Sequence, residues 1–374
     1  MPKIRVLVVD DSVVMRRLIT EVLQGDPGIE VVGIAHNGRI ALQKLSQVNP
    51  DVVTMDVEMP ELDGVKALKE LRRTYPRMPV IMFSSLTQRG ASATLDALAA
   101  GATDFVTKTV DVMGLQESIS RLQEELLPRI RVHFQRTQAE FSPVPTVAPA
   151  APGASTFTVP ASSLATPRTG APSAAPLLSG AVELLCIGSS TGGPMALEKV
   201  FQGLVTPLSV PVVLVQHMPA MFTQMMAERL NALRIPLRCM EATHGLTLKP
   251  GHAYVAPGGF HMTVHRDQGG SFSVRTNTNP PENSCRPAVD VLFRSAVATG
   301  ANVLGVVLTG MGQDGLRGCE LIREKGGQVV VQDQASSVVW GMPGAVAQAG
   351  LAHAILPIEE IAPEILRRLK ATRR

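Results

Sequence analysis

The residue with the most specific chemical pattern is Ser190, the central serine of "GSSTG" at 188–192, which fits G-x-S-x-G. An apolar run precedes this loop and a helical pattern follows it, an arrangement that can display a nucleophile. A serine hydroxyl is a weak nucleophile at neutral pH unless a base accepts its proton, and a carboxylate usually orients that base. His217 and Asp314 each follow a later apolar run. The three residues together predict serine-dependent acyl transfer.

Each of these residues also has another interpretation. A glycine-rich loop at a helix start suits a phosphate, but the sequence has neither the G-x-G-x-x-G of a dinucleotide site nor the Gly-Lys-Ser/Thr of a P-loop here. His217 alone could be a structural histidine, and Asp314 alone could cap the following helix. The order Ser…His…Asp differs from that of α/β-hydrolases. It argues against membership of that superfamily but not against the chemistry, because triads recur on unrelated folds.

A second group of chemically active residue types lies in the first third of the chain. Asp10 and Asp11 end the first apolar run, and Asp56 ends the third. Clustered carboxylates repel one another unless a cation lies among them, and oxygen ligands suit Mg²⁺. Ser84 and Lys108 end the fourth and fifth runs. An Asp after a strand is often only a helix cap, but five such residues at matched strand ends favour one magnesium-dependent site.

The elements that must position these residues alternate regularly in the N-terminal part. Apolar runs of strand length, from "IRVLVVD" to "DFVTK", are separated by helical patterns such as "SVVMRRLITEVL". Runs that are apolar throughout indicate strands buried on both faces, which is typical of a parallel sheet between two layers of helices. We therefore predict a doubly wound α/β domain whose functional residues lie beyond the carboxyl ends of its strands.

The C-terminal part alternates as well. The runs "ELLCIG", "VPVVLVQ", "ANVLGVVLTG" and "QVVVQD" predict buried strands, so that Ser190, His217 and Asp314 each follow one of them. The segment 252–276 instead has Gly-rich turns between short alternating runs, which indicates one or two antiparallel hairpins. We predict a second α/β domain with a mainly parallel sheet and a small antiparallel hairpin insertion.

A segment rich in Pro, Ala, Ser and Thr separates these two parts and is nearly free of charge. Such a composition buries too little surface to offset the entropy of ordering, so it predicts an extended, flexible linker. The predicted organisation is a first domain at 1–130, a linker at 131–180 and a second domain at 181–374.

Composition excludes several classes of function. The formal net charge of +3 over 374 residues gives no reason to expect a nucleic-acid partner. The sequence has no run of 18 apolar residues that would span a membrane, and its start is a strand pattern rather than a signal peptide. The four cysteines (Cys186, Cys239, Cys285 and Cys319) form no Cys-x-x-Cys pair. We therefore expect buried thiols in a reducing cytoplasm.

Over residues 3–127 the chain resembles the receiver domain of response regulators, on the strand-end residues described above. The resemblance implies a flavodoxin-like fold that is phosphorylated in the presence of Mg²⁺. The residues to which it gives a role are Asp56 (phospho-acceptor), Asp10 and Asp11 (magnesium ligands with Asp56), Ser84 and Phe105 (switch residues) and Lys108 (charge partner of the phosphoryl group). Thr109 stands where the family usually has proline, so the loop after Lys108 is expected to differ.

The segments "IGSSTGGP", "VQHMPAMFT" and "VVLTGMGQDG" resemble those of the chemotaxis protein-glutamate methylesterases (CheB family), over about residues 183–370. This resemblance implies Ser190 as nucleophile, His217 as general base and Asp314 as its orienting carboxylate. Thr191 and the backbone N–H of Met311 would shape the site and its oxyanion hole. The implied reaction is hydrolysis of γ-glutamyl methyl esters, with deamidation of glutamines through the same acyl intermediate.

The resemblance also implies partners and regulation. The substrates would be methyl-accepting chemotaxis receptors and the phosphodonor a chemotaxis histidine kinase, with no cofactor in the esterase site. We expect a cytoplasmic monomer without nucleic-acid partner or membrane insertion. In the family the unphosphorylated receiver covers the esterase site, but a long linker weakens such a contact. Two alternatives stay open: an esterase of another chemosensory pathway, and an output domain that binds without catalysis.

Overall fold

The computed structural model describes residues 3–108, 115–141 and 180–371, and the first part is a doubly wound domain. Its strands are β1 (Ile4–Val9), β2 (Ile29–Ala35), β3 (Val52–Asp56), β4 (Val80–Ser85) and β5 (Asp104–Lys108). They pair in parallel in the order β2-β1-β3-β4-β5, the flavodoxin-like order. The predicted fold of this domain is therefore confirmed.

Helices cover both faces of this sheet, and polar residues define where they begin. They are α1 (Val13–Gln24), α2 (Gly38–Val48), α3 (Gly64–Thr74), α4 (Gln88–Ala99) and α5 (Leu115–Phe141). The Ser12 hydroxyl accepts a hydrogen bond from the N–H of Met15, and the side-chain oxygen of Asn37 accepts one from the N–H of Ile40. These caps satisfy backbone donors that the first turn leaves free, so α1 and α2 begin directly after the strands.

Helix α5 extends into the segment that composition assigned to the linker. It ends at Phe141, so residues 131–141 are helical and the range 131–180 begins too early. The physical reason is tertiary packing: Ile130 and His133 are buried, and Phe134 packs against the domain core. A helix with only one apolar face has a largely polar composition, so composition alone does not reveal it.

The second domain has a parallel sheet and a separate hairpin, as predicted. The sheet strands are β6 (Leu184–Ser189), β7 (Val212–Gln216), β8 (Arg238–Glu241), β9 (His252–Val255), β12 (Val303–Val307), β13 (Gln328–Gln332) and β14 (Ala354–Leu356), and the hairpin strands are β10 (His261–Arg266) and β11 (Phe272–Asn277). The sheet order is β14-β13-β12-β6-β7-β9-β8, and every pairing is parallel. Only part of 252–276 is antiparallel, because β9 joins the main sheet beside β7.

The helices of this domain are α6 (Gly193–Gly203), α7 (Phe222–Asn231), α8 (Val289–Ala298), α9 (Leu316–Glu324), α10 (Met342–Gln348) and α11 (Ile358–Ala371). Their apolar faces pack on the two sides of the sheet, where the central strands β6, β7 and β12 are buried throughout. In the described parts of the chain, no helix is both long and apolar enough to cross a bilayer.

The two domains lie against each other through α4 and β5 of the first and α6 and α7 of the second. The rings of Phe105 and Phe222 stack with centroids 5.1 Å apart. The guanidinium of Arg229 bridges Asp96 of the first domain (3.0 Å) and Glu198 of the second (3.2 Å). The face of the first domain that carries β5 is therefore the face that meets the second domain.

Candidate active site

The serine loop lies between β6 and α6 and is fixed to the neighbouring strand. The Ser189 hydroxyl donates to the side-chain oxygen of Gln216 (2.7 Å), whose amide nitrogen donates back to the carbonyl of Ser190 (2.8 Å). Two glycines make this close approach possible. Gly192 has φ +76°, and a Cβ on Gly193 would lie 1.9 Å from the Gln216 side chain. The loop thus presents Ser190 at the carboxyl edge of the sheet.

His217 and Asp314 follow β7 and β12 and are in direct contact. The Nε2 of His217 lies 2.8 Å from Oδ2 of Asp314. The carboxylate of Asp314 also accepts hydrogen bonds from the backbone N–H groups of Val289 (2.7 Å), Asp290 (2.9 Å) and Gly315 (3.0 Å). Burial would raise the pKa of Asp314, but His217 and the backbone N–H groups of Asp290 and Val289 lower it below its ordinary value. Asp314 is therefore an ionised, fixed acceptor for the imidazole.

The other ring nitrogen of His217 faces a thiol. Its Nδ1 lies 3.4 Å from the Sγ of Cys285. Burial opposes the charged form of the imidazole, but the contacts with Asp314 and Cys285 outweigh it and raise the pKa of His217 to about 10. In this arrangement the imidazole holds its proton strongly.

Ser190 and His217 line one cavity of about 410 Å³ at the carboxyl edge of the sheet. Within residues 3–108, 115–141 and 180–371, no hydrogen bond joins the Ser190 hydroxyl to His217. Catalytic hydrogen bonds are often loose before substrate binds. The structure thus brings all three predicted residues to one edge and joins two of them directly.

Thr191 and Met311 take different positions around this cavity. Thr191 lines it and donates its hydroxyl proton to Asp104 of the first domain (3.3 Å). Met311 does not line the cavity. It follows Gly310, however, and a Cβ placed on Gly310 would lie 2.8 Å from the Cβ of Ser190. Of the described residues, none accepts a hydrogen bond from the Met311 N–H. That donor is available for an oxyanion close to the serine.

The first domain forms part of the cavity wall. Asp104, Phe105 and Arg129 line it opposite the serine loop. The buried carboxylate of Asp104 lies 3.1 Å from Arg129 Nε and 3.4 Å from His133 Nε2. Burial would raise the pKa of Asp104, but Arg129 and His133 lower it. The buried carboxylate of Asp104 is therefore compensated by Arg129 and His133, and it contacts the loop that carries the serine.

The acidic residues of the first domain also converge. Potential ligand atoms of Asp10, Asp11 and Asp56 lie within 4.8 Å of one another. The Nζ of Lys108 is 2.9 Å from Asp10 Oδ2 and 2.7 Å from Asp56 Oδ2. Burial raises the pKa of Asp56 to about 6, and the charge of Asp10 adds to this effect while Lys108 opposes it. The carboxylate oxygens are incompletely neutralised, which fits a divalent cation.

The remaining predicted residues of the receiver are less central to this pocket. Ser84 lies next to the last residue of β4, is buried and donates its hydroxyl proton to the carbonyl of Ser85 (3.3 Å). Phe105 points its ring at Phe222 in the domain interface. Thr109 lies outside the described residues.

Three contributors to the second site were missed by sequence reasoning: Asn283, Cys285 and Asp290. Asn283 donates to both Asp290 Oδ2 (3.0 Å) and Asp314 Oδ1 (2.8 Å). These residues do not follow a predicted strand, so strand-end reasoning could not find them. Their only signal is the polar cluster before a helical pattern, which also describes many helix starts.

Comparison with known proteins agrees with this organisation. The family model for CheB methylesterase matches residues 185–365, and that for the response regulator receiver domain matches residues 6–120. A protein-glutamate methylesterase/protein-glutamine glutaminase of Nocardioides sp. is 53% identical over 375 residues, which are 100% of this chain and 97% of the relative. The protein of the same name from Trichodesmium erythraeum is 50% identical over 372 residues, 99% of this chain and 100% of the relative.

A solved structure, that of the Thermotoga maritima CheB methylesterase catalytic domain, aligns with 37% sequence identity and a TM-score of 0.48, covering 51% of this chain and 99% of its own. The sequence identity of this chain to the two full-length relatives is well above the level at which family membership is in doubt. Both relatives span both domains. The chain therefore belongs to the CheB methylesterase family and combines a response regulator receiver domain with the methylesterase domain.

Proposed function

We propose that this chain is a phosphorylation-activated protein-glutamate methylesterase that also deamidates protein glutamines. Its substrates would be γ-glutamyl methyl esters on chemoreceptors, in chemotaxis adaptation in the cytoplasm. The relatives that match its full length carry both activities in their names. The observation that carries the proposal is the partly buried contact of His217 with Asp314 (2.8 Å) beside the loop of Ser190.

In the proposed reaction Ser190 Oγ attacks the ester carbonyl carbon. Because Nε2 of His217 is held by Asp314, Nδ1 is the nitrogen that accepts the serine proton. The N–H of Met311 and the side of the site formed by Thr191 would stabilise the oxyanion, a contribution of about 3 kcal/mol for one well-aimed donor. His217 then protonates the leaving methanol. A water molecule, deprotonated by His217, hydrolyses the acyl-enzyme to a glutamate and free Ser190.

In the receiver, the Asp56 carboxylate would attack the phosphorus of a phosphohistidine on a chemotaxis histidine kinase, so that a P–O bond to Asp56 forms as the P–N bond breaks and the kinase histidine leaves. Asp10, Asp11 and Asp56 would hold Mg²⁺, which neutralises phosphoryl oxygens when bound. Lys108, within 2.9 Å of both Asp10 and Asp56, would pair with the transferred group. Ser84 and Phe105 would respond to it.

The regulation proposed follows from the contacts between domains. Asp104 engages Thr191 beside the nucleophile, and Phe105 stacks on Phe222 at the start of α7. The receiver therefore narrows access to the serine in the unphosphorylated form. Phosphorylation of Asp56 would pair Lys108 with the phosphoryl group, draw Phe105 on β5 away from Phe222 and shift the population toward an open form.

The test is methanol release from a methylated chemoreceptor signalling fragment. The full chain, Ser190→Ala and Asp56→Asn would be compared with and without a small phosphodonor and Mg²⁺. We expect stimulated release by the full chain, no release by Ser190→Ala, and no stimulation of Asp56→Asn. Ser271→Ala is the matched control for the serine, since Ser271 is exposed in the turn between β10 and β11 and does not line the cavity. Binding of the fragment without release by the full chain would instead favour an output domain that does not catalyse.

A further inference from the structure

A short turn before α8 contacts both members of the His–Asp pair. The backbone N–H of Glu282 donates to the carbonyl of Cys285 (3.1 Å), and the reverse bond is 2.9 Å long. Between them Asn283 and Ser284 have φ of +52° and +61°. Asn tolerates this left-handed region, whereas a serine there is uncommon. Arg294 holds Glu282 through two contacts of 2.5 Å, so the turn is anchored from outside. We call residues 282–285 the 282–285 turn.

One arm of the turn holds the carboxylate. The Asn283 amide donates one hydrogen bond to Asp314 Oδ1 (2.8 Å) and one to Asp290 Oδ2 (3.0 Å). Asp290 is itself buried, and its other oxygen accepts from the N–H of Gly318 (2.7 Å). Two buried carboxylates repel each other, and a donor between them offsets that repulsion. Asn283 thus fixes the oxygen of Asp314 that does not contact His217.

The other arm holds the imidazole. Cys285 Sγ lies 3.4 Å from Nδ1 of His217, while Asp314 occupies Nε2 at 2.8 Å. Nδ1 is the nitrogen that must accept the proton of Ser190 in the proposed reaction. The thiol therefore lies on the one acceptor position that the reaction needs.

We infer that the 282–285 turn is a positioning clamp for the catalytic pair. Asn283 sets the carboxylate of Asp314, and Cys285 holds Nδ1 of His217 in the resting enzyme until Ser190 and substrate displace the thiol. This inference rests on the proposed function, because it assigns the base role to His217. Asn283 acts through Asp314, and Cys285 leaves Nδ1 before the proton of Ser190 is transferred, so both are positioning residues.

The two arms have opposite expected effects on proton affinity. The contact with Cys285 is one of the causes that raise the pKa of His217, so its loss should let the imidazole release its proton at lower pH. The loss of the Asn283 donor leaves more negative charge on Asp314 and cannot lower the proton affinity of the imidazole. The charged and titratable groups around His217 are Asp314, Cys285 and Arg286 from the esterase and Asp104, Arg121, Glu125 and Arg129 from the receiver. The receiver groups are unchanged in every variant compared below.

The experiment measures pH profiles of kcat/KM for methyl release, with phosphodonor and Mg²⁺ present. Cys285→Ala should move the midpoint of the rising limb at least about half a pH unit lower, with KM unchanged. Cys285→Ser keeps a hydroxyl oxygen that can accept from the protonated Nδ1, so its midpoint should lie between those of Cys285→Ala and wild type. Cys239→Ala, a buried thiol on β8, is the matched control and should keep the wild-type profile.

Asn283→Ala should lower kcat about tenfold or more at unchanged KM, because misplacement of a catalytic pair affects the reaction step. Its midpoint should not fall. Asn279→Ala is the matched control, since Asn279 is exposed on the same segment and its side-chain amide makes no hydrogen bond to another described residue. Thermal unfolding of each variant checks that the fold is retained.

A second readout does not depend on esterase activity. The pKa of His217 is measured by NMR on labelled histidines in the Ser190→Ala chain, with His217→Gln for assignment. A lower pKa in Cys285→Ala supports the clamp even if no receptor fragment is hydrolysed, a result that would defeat only the proposed function. Identical values in Cys285→Ala and Cys239→Ala, or equal kcat for Asn283→Ala and Asn279→Ala, would overturn the clamp while Ser190-dependent hydrolysis stands.

Discussion

The two polar centres of this chain treat their main carboxylates in opposite ways. Asp56 in the receiver is buried beside Asp10, and its hydrogen-bond and ion-pair partners are Lys108 (2.7 Å) and the N–H of Glu58 (3.3 Å). Burial raises its pKa to about 6. Asp314 in the esterase instead accepts from five donors, and its pKa is lowered.

This difference follows from what completes each centre. The receiver carboxylates keep unused acceptor capacity, which a cation and a phosphoryl group would take up. The Asp314 carboxylate has little capacity left, because the fold itself supplies its donors. A carboxylate that must orient a histidine gains from being fixed before substrate arrives. Bound ligands therefore complete the receiver centre, whereas donors from the chain itself complete the esterase centre.

The largest expected effect is that of Asp314→Asn. An amide in this position has one acceptor oxygen, so its NH₂ group must face either Nε2 of His217 or the backbone N–H donors. We expect kcat for methyl release to fall by about 10³- to 10⁴-fold, because the imidazole loses its required tautomer. Urea unfolding should show a loss of about 1–3 kcal/mol, since buried N–H groups lose their acceptor.

The control for this prediction is Asp267→Asn. Asp267 lies in the exposed turn between β10 and β11, away from the serine cavity, and should leave kcat at the wild-type value. A loss of less than tenfold in Asp314→Asn would show that saturation of this carboxylate has no catalytic purpose. The comparison between the two centres would then concern stability alone.

The next largest effect is expected at the aromatic contact between the two domains. Phe105→Ala removes the stacking of Phe105 on Phe222. The centroids of these two rings are 5.1 Å apart and the rings are nearly parallel. Such a pair contributes about 1 kcal/mol beyond its buried area. Each 1.4 kcal/mol is a tenfold change in an equilibrium constant, so the unphosphorylated chain should release methanol about fivefold faster.

Phe272→Ala is the control for this prediction, since Phe272 lies on β11 and packs under Arg266 rather than in the interface. Its basal rate should equal that of the wild type. If Phe105→Ala also kept the wild-type basal rate while phosphodonor still stimulated it, the stacking would not restrain the esterase. The inhibitory contact would then have to be sought at Asp104 and Thr191.

The sequence predicts the receiver centre more completely than the esterase centre, and the two kinds of site explain why. Asp10, Asp56 and Lys108 all stand at strand ends, so regular alternation is sufficient to place them at one edge of the sheet. Ser190 and His217 were predicted on the same ground, and both line one cavity.

The parts that the sequence does not predict depend on tertiary contacts. Asn283 and Cys285 reach the His–Asp pair through a turn with two left-handed residues, and no periodicity marks such a turn. The strands β8 and β14 have four and three residues, too short for a clear apolar pattern. The helical residues 131–141 were assigned to the linker, because composition does not record the packing of His133 against Asp104.

The smallest effect tests the receiver side of the comparison through stability. The pKa of Asp56 is raised on folding from 3.8 to about 6, so its protonated form is favoured in the folded chain. Its contribution to stability is full below pH 3.8 and is lost as pH rises through about 6. Asp56→Asn carries no charge, and at pH 8 without Mg²⁺ it should be more stable than wild type by at most about 3 kcal/mol.

The measurement is thermal unfolding at pH 4 and pH 8, with and without Mg²⁺. The Tm of Asp56→Asn should exceed that of wild type by a few degrees at pH 8, by little at pH 4, and by less once Mg²⁺ stabilises the wild type. Asp63, the N-cap of α3, is a control because its pKa is shifted in the opposite direction. Partial burial would raise the pKa of Asp63, but hydrogen bonds from Lys66 lower it. Asp63→Asn should therefore gain nothing at pH 8. If Asp56→Asn gained nothing either, Lys108 would already satisfy Asp56 as fully as five donors satisfy Asp314, and the two centres would differ only in where they lie.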